Sequence, residues 1–91
     1  MIIEEDFMIG NQSGLHARPV ATFVKAANTF KAKIKVCHGG READAKSILS
    51  VLSLGAGKGA TIRVAAEGDD AELAIETLKE LVLSGFGEGL S

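Results

Sequence analysis

A histidine and an arginine stand two positions apart in the segment Gly14-Leu15-His16-Ala17-Arg18-Pro19. Apolar residues at helical spacing follow it: Val20, Phe23, Val24 and Ala27. Proline is tolerated in the first turn of a helix, because the N–H group that it lacks would have no partner within the helix there. We therefore predict a helix that begins near residue 16, with His16 at or next to its N-cap.

The start of this predicted helix suits an anion. Its unpaired backbone N–H groups and partial positive charge attract phosphate, and the guanidinium of Arg18 adds a planar, permanently charged donor. The same field disfavours an imidazolium at His16, and a neutral imidazole has a lone pair that can act as a nucleophile. These features predict reversible phosphoryl transfer to His16. The alternative is a loop histidine that only caps a helix, since short motifs also match by chance.

Composition excludes several other classes of function. The 91 residues predict one domain, 1–91, with 84–91 as a flexible tail, and the single cysteine fits a reducing cytosol. No apolar run is long enough to cross a membrane, and the acidic N-terminal flank does not resemble a signal peptide. The net charge of −2, with both signs interspersed, argues against a nucleic-acid partner. The spacing of His16, Cys37 and His38 fits no metal site, so we expect no metal and no cofactor.

Hydrophobic periodicity predicts the order β-α-β-β-α-β-α. The predicted elements are strands at 3–9, 31–38, 41–44 and 60–67, and helices after His16, at 47–54 and after Gly68-Asp69-Asp70. Gly39-Gly40 predicts a tight hairpin turn, because both residues accept a positive φ. This order indicates an α+β fold. We expect a two-layer open-faced sandwich, with a four-stranded antiparallel sheet and three helices on one face.

The second predicted helix is short and unusually apolar: Ile48, Leu49, Val51, Leu52 and Leu54. One core is too small to bury all of these residues, so we predict that a partner docks on Ile48, Leu49 and Leu52, together with Leu15 beside the histidine. The alternative, that all of them belong to the core, stays open because small domains do bury short apolar helices. Ser47 is a natural N-cap for this helix, because its hydroxyl can accept a backbone N–H group two or three residues further on.

Two segments carry a resemblance to a known family. Residues 14–19 resemble the phosphorylation-site signature of HPr, the histidine phosphocarrier of the bacterial phosphoenolpyruvate-dependent phosphotransferase system, and residues 44–55 resemble the family's second signature. The likeness covers nearly the whole chain. It implies that His16 accepts a phosphoryl group on Nδ1 from enzyme I and passes it to IIA components of sugar transporters. It also implies that Arg18 and the backbone amides of Ala17 and Arg18 hold that group, and that the chain is a carrier and not an enzyme.

The same resemblance implies a regulatory role for Ser47, through an HPr kinase/phosphorylase and a transcriptional regulator. We expect a monomer in the cytoplasm. Three alternatives remain: a nitrogen-related branch of the system, which the Ser84-Gly85-Phe86 ending resembles; a regulatory adaptor acting through phosphorylated Ser47; and a small-molecule binding module. No role follows for Cys37 or His38.

Overall fold

The computed structural model describes residues 1–11 and 14–86. Its elements are β1 (Ile2–Met8), α1 (Ala17–Ala27), β2 (Lys33–His38), β3 (Arg41–Asp44), α2 (Ile48–Leu52), β4 (Thr61–Glu67) and α3 (Ala71–Leu83). This order confirms the predicted β-α-β-β-α-β-α arrangement. None of the helices in the described ranges is long and apolar enough to cross a bilayer.

The four strands form one antiparallel sheet in the order β1-β4-β2-β3. The alternation of side chains sorts its two faces, because successive residues of a strand point to opposite sides. Phe7, Ile62 and Val64 are buried beneath the helices. Arg63, between Ile62 and Val64, lies on the open face, where its Nε donates to Asp6 Oδ1 over 2.8 Å. This bond holds the pKa of Asp6 below its usual value.

One apolar cluster joins the inner face of the sheet to α1 and α3. The buried residues of the two helices recur at the predicted spacing: Pro19, Val20, Phe23, Val24 and Ala27 in α1, and Ala71, Ala74, Ile75, Leu78 and Val82 in α3. Burial of these stripes fixes each helix in rotation about its own axis. The first turn of α1 therefore has a fixed orientation relative to the sheet.

The second helix is shorter than predicted. It ends at Leu52, with Ser53 as its C-cap, whereas the periodicity extends to Leu54. The N–H group of Leu54 reaches back three residues to the carbonyl of Val51, over 3.1 Å, so the last turn tightens. Leu54 is still buried, which explains why its apolar character suggested a longer helix.

The prediction of a flexible tail from residue 84 is wrong for the part that the structure describes. Phe86 is buried, and its ring meets that of Phe23 edge to face, with 6.2 Å between the ring centres. Its N–H group donates to the carbonyl of Leu81 over 2.8 Å. Burial of an aromatic ring outweighs the flexibility that the neighbouring glycines suggested. Residues 87–91, the rest of the predicted tail, lie outside the described residues.

Asp70 precedes α3 as predicted, but its side chain does not cap that helix. The carboxylate instead accepts the N–H groups of Lys31 and Ala32, each over 2.8 Å, at the entry to β2. The hydrogen bond from Lys31 is the largest of the effects that lower the pKa of Asp70. Asp70 therefore joins two segments that are far apart in sequence.

Candidate functional site

His16 is the N-cap of α1, where the sequence predicts it. Its backbone is extended, with φ −94° and ψ 177°, and its carbonyl accepts the N–H group of Val20 over 2.9 Å, which opens the helix. The imidazole makes no capping hydrogen bond, and the residue is exposed. The ring is therefore accessible to a phosphoryl donor at the positive end of the helix.

The first turn of α1 offers donors next to that ring. Pro19 has no N–H group, and Val20 is the first residue whose N–H group binds back to the N-cap. Within residues 1–11 and 14–86, no acceptor binds the backbone N–H groups of Ala17 and Arg18. Arg18 is exposed, so its guanidinium is available at the same end of α1. These groups could together neutralise a phosphate on His16.

Backbone hydrogen bonds hold His16 from the other side. Its N–H group donates to the carbonyl of Gly14 over 3.0 Å. The N–H group of Leu15 donates to the carbonyl of Ala56, over 2.9 Å, in the loop that follows α2. The Leu15 side chain is 5% exposed, so the prediction that it offers a docking surface is wrong. Leu15 belongs to the core, and its burial and its hydrogen bond to Ala56 anchor the chain directly before the histidine.

Ser47 is the N-cap of α2, and its Oγ accepts the N–H group of Ser50 over 3.4 Å. The preceding residue, Lys46, is tied to the end of α1, because its carbonyl accepts Asn28 Nδ2 over 3.2 Å. Ala56, after α2, is bound instead to Leu15, before α1. The two helices therefore run in opposite directions. Ser47 lies toward the far end of α1 from His16, and α1 is 11 residues long, about 16 Å at the rise of an α-helix.

The apolar residues of α2 and of the turn after it divide between the core and the surface. Val51 and Leu54 are buried, and Leu52 is partly buried against the core. Leu49 is 80% exposed and Ile48 is 44% exposed, so the alternative in which the whole helix belongs to the core is wrong. Two large side chains are thus free to meet another protein, while the docking role itself stays a prediction.

Sequence reasoning missed two residues that shape the turn before His16. Asn11 is fully buried, and its Nδ2 donates to the carbonyl of Gly14 over 2.9 Å. Gly14 has a positive φ of 60°, and it packs against the backbone of Gly57. For Asn11, the available signal was an asparagine at the start of a turn. Nothing in the sequence indicates the packing of Gly14 on Gly57, because this contact joins two loops that are far apart in the chain.

Cys37 and His38 lie away from α1. Cys37 is on the open face of the sheet, where burial raises the pKa of its thiol and the nearby Glu42 carboxylate raises it further. His38 Nδ1 lies 3.3 Å from the carbonyl oxygen of Thr61. Within the part of the chain that the structure describes, no three His, Cys, Asp or Glu side chains group together as metal ligands.

Comparison with known proteins decides the family. The model of the phosphotransferase-system HPr component phosphorylation site matches residues 3–84. The chain belongs to the HPr family. It is 39% identical, over 97% of its length and 99% of the relative's, to the phosphocarrier protein HPr of Cupriavidus necator. The HPr identity makes this chain a phosphocarrier of the phosphotransferase system and not an enzyme, as the sequence predicts.

Solved HPr structures share the fold. A crystal structure of HPr from Thermoanaerobacter tengcongensis has a TM-score of 0.93 and 44% identity, covering 97% of this chain and 99% of that one. A structure described as an HPr dimer from the same organism has a TM-score of 0.77 and 45% identity, covering 90% and 94%. The predicted open-faced sandwich is confirmed as the HPr architecture.

Proposed function

We propose that His16 is the residue of this HPr that accepts the phosphoryl group, on Nδ1, from phosphorylated enzyme I. One observation carries the proposal: an exposed imidazole stands at the N-cap of α1, beside two backbone N–H groups that no described residue binds. The lone pair of the neutral ring attacks phosphorus, and the bond to the donor breaks as the N–P bond forms. The N–H groups of Ala17 and Arg18 and the Arg18 guanidinium then hold the phosphate oxygens.

Passage of the group to IIA components for sugar uptake is the second half of the proposal. Onward transfer requires that a second protein can reach the phosphoryl group, and the exposure of His16 at the start of α1 satisfies this requirement. We place this exchange in the cytoplasm and propose that the carrier acts as a monomer. A brief, largely apolar contact of small area suits such an exchange.

The exposed side chains of Ile48 and Leu49 are the proposed docking surface, with Leu52 at its base. Ser47 adjoins this surface at the start of α2. We propose that phosphorylation of Ser47, by an HPr kinase/phosphorylase, weakens docking by placing a double negative charge beside these apolar residues. Because Ser47 lies toward the other end of α1 from His16, the effect acts on the partner's contact and not on the imidazole.

Two related functions differ in the partner. A nitrogen-related branch uses the same chemistry, and the Ser84-Gly85-Phe86 ending favoured it. Phe86 packs on Phe23 in this fold, so that ending has a structural role in either branch. A regulatory adaptor, which would act through phosphorylated Ser47 and a transcriptional regulator, would not need the backbone donors beside His16 that no described residue binds.

The test is a phosphotransfer reaction reconstituted from purified components. The protein is incubated with enzyme I and phosphoenolpyruvate, and then with IIA components of the sugar and nitrogen types in separate reactions. We expect an acid-labile, base-stable phosphate on the protein, lost on addition of the correct IIA component. Arg18→Ala should slow acceptance by about a hundredfold, as loss of a charged donor does, and Arg18→Lys less. Absence of the phosphate, or equal rates for Arg18→Ala and the wild type, would overturn the proposal.

A further inference from the structure

Asn11 is the one fully buried polar side chain in the described part of the chain, with 0% of its surface exposed. Burying an amide costs free energy unless its polar groups find partners. An apolar residue would fill the same space without that cost. The presence of an amide here indicates that its hydrogen bonds matter.

Two hydrogen bonds of Asn11 go to the same residue, Gly14. The backbone carbonyl of Asn11 accepts the N–H group of Gly14 over 3.1 Å. Its Nδ2 donates to the carbonyl oxygen of Gly14 over 2.9 Å. Both backbone polar groups of Gly14 are therefore bound by Asn11. This double contact closes the turn and fixes the orientation of the Gly14 peptide.

The Gly14 carbonyl in turn binds His16. Its oxygen accepts the His16 N–H group over 3.0 Å, so the amide of Asn11 and the backbone of His16 meet at one atom. On the N-terminal side of Asn11, Ile9 is bound to the loop between α2 and β4, because its carbonyl accepts the N–H group of Gly59 over 2.7 Å. The chain from β1 to His16 is thus anchored before the turn and within it.

We propose that Asn11 is a positioning residue for phosphoryl transfer. It does not touch the phosphate; it holds the Gly14 carbonyl, and through it the backbone from which the imidazole of His16 projects. This inference rests on the proposed function of His16. A small displacement of a nucleophile costs a large factor in rate, because transfer requires the reacting atoms to be aligned. Docking on α2 involves other residues and should not change.

The experiment measures acceptance of the phosphoryl group from enzyme I, with this protein as the varied substrate. Asn11→Ala removes the donor, and Asn11→Leu keeps a similar volume without an N–H group, which covers the case in which the alanine variant fails to fold. Val36→Ala, in the core at β2, is the control for loss of stability alone. All assays are run at a temperature where circular dichroism shows each variant folded.

We expect kcat to fall about tenfold or more in both Asn11 variants, with KM within about twofold of the wild type, as for loss of alignment without loss of docking. The control should keep both constants near the wild-type values. A fall in kcat no larger than that of Val36→Ala, or a change in KM alone, would show that Asn11 acts only through stability and would overturn the proposal.

A second measurement does not depend on phosphoryl transfer. In ¹⁵N-labelled, unphosphorylated protein, the backbone and ring signals of His16 should shift or broaden in Asn11→Ala and Asn11→Leu but not in Val36→Ala. Unchanged His16 signals would contradict the positioning role. If the wild type accepts no phosphate, the proposed function fails, while these spectra still decide whether Asn11 holds His16.

Discussion

Gly14 packs backbone to backbone against Gly57. Gly57 directly follows Ala56, whose carbonyl accepts the N–H group of Leu15. A β-carbon on Gly14 would lie 2.8 Å from the Cα of Gly57 and 2.8 Å from the carbonyl oxygen of Ala56. Such distances do not occur in folded proteins, so any side chain on Gly14 must push the two loops apart. The turn that precedes His16 is therefore defined by contact with the loop that follows α2.

Gly14→Ala should destabilise the protein more than its left-handed backbone alone explains. Gly39 is the matched control, because its φ of 57° is close to the 60° of Gly14, while a β-carbon there meets nothing within 4 Å. We expect Gly39→Ala to cost about 1–2 kcal/mol. Gly14→Ala should cost about 1–3 kcal/mol more, through overpacking. Urea unfolding measures both free energies, and equal losses would contradict the close contact.

Gly14→Ala should also slow acceptance of the phosphoryl group, because displacement of the turn displaces His16. Gly39→Ala, in the hairpin between β2 and β3, should leave the rate unchanged. The rates are compared at a temperature where both variants are folded. Wild-type acceptance by Gly14→Ala would show that the position of this turn has no effect on the reaction.

Replacement of Ser47 separates its two roles. Asn and Asp both cap helices as well as serine does, so Ser47→Asn and Ser47→Asp should keep the free energy of unfolding, whereas Ser47→Ala should lose about 1 kcal/mol. Only the aspartate adds a negative charge beside Ile48 and Leu49. We expect Ser47→Asp to raise the KM for acceptance from enzyme I, and Ser47→Asn to leave it unchanged. Similar KM values for the two variants would remove the regulatory proposal.

Leu49 should contribute to docking and not to folding. Its side chain is 80% exposed, so truncation leaves no cavity. Leu49→Ala should raise the KM for enzyme I about tenfold, the effect of removing a strong interface contact of about 1.4 kcal/mol. Leu73, 58% exposed on α3, is the control, and Leu73→Ala should change neither KM nor stability. Equal KM values for both variants would place the docking surface elsewhere.

Asp70 should make stability depend on pH. The N–H groups of Lys31 and Ala32 lower the pKa of this carboxyl in the folded state, below the value of about 3.9 expected in the unfolded chain. Its contribution is therefore complete above the unfolded pKa and is lost as the pH falls through the folded pKa. Asp70→Asn should be less stable than the wild type at pH 7, and the difference should shrink below about pH 4. Asp69→Asn, at the exposed neighbouring position, is the control, and a difference independent of pH would contradict the assignment.

The fold was predictable because its signals are local. Alternation in β1 and β4 and the stripes of α1 and α3 each reflect which side chains face one core, and His16 lies at the helix start that Pro19 indicated. The site residues at the start of α1 follow from the same local pattern. The exposure of Leu49 also agrees with a helix too apolar for one core.

The remaining features depend on contacts between distant segments. Leu15 is held in the core by its hydrogen bond to Ala56, and Phe86 is held there by its ring contact with Phe23. The Asp70 carboxylate binds an N–H group at the entry to β2. Each pairs residues more than 35 positions apart in sequence. Periodicity and turn chemistry describe only neighbours along the chain, so they could not reveal these pairs.

Localisation of the phosphoryl group tests the central claim most directly. The chain has two histidines, His16 exposed at the start of α1 and His38 half-buried at the end of β2, and the second is the internal control for the first. Wild type, His16→Ala and His38→Ala are incubated with enzyme I and phosphoenolpyruvate, and the phosphate is located by mass spectrometry under neutral conditions. The account predicts one phosphoryl group on His16 in the wild type and in His38→Ala, and none in His16→Ala. Phosphorylation of His16→Ala, or of His38 in the wild type, would contradict it.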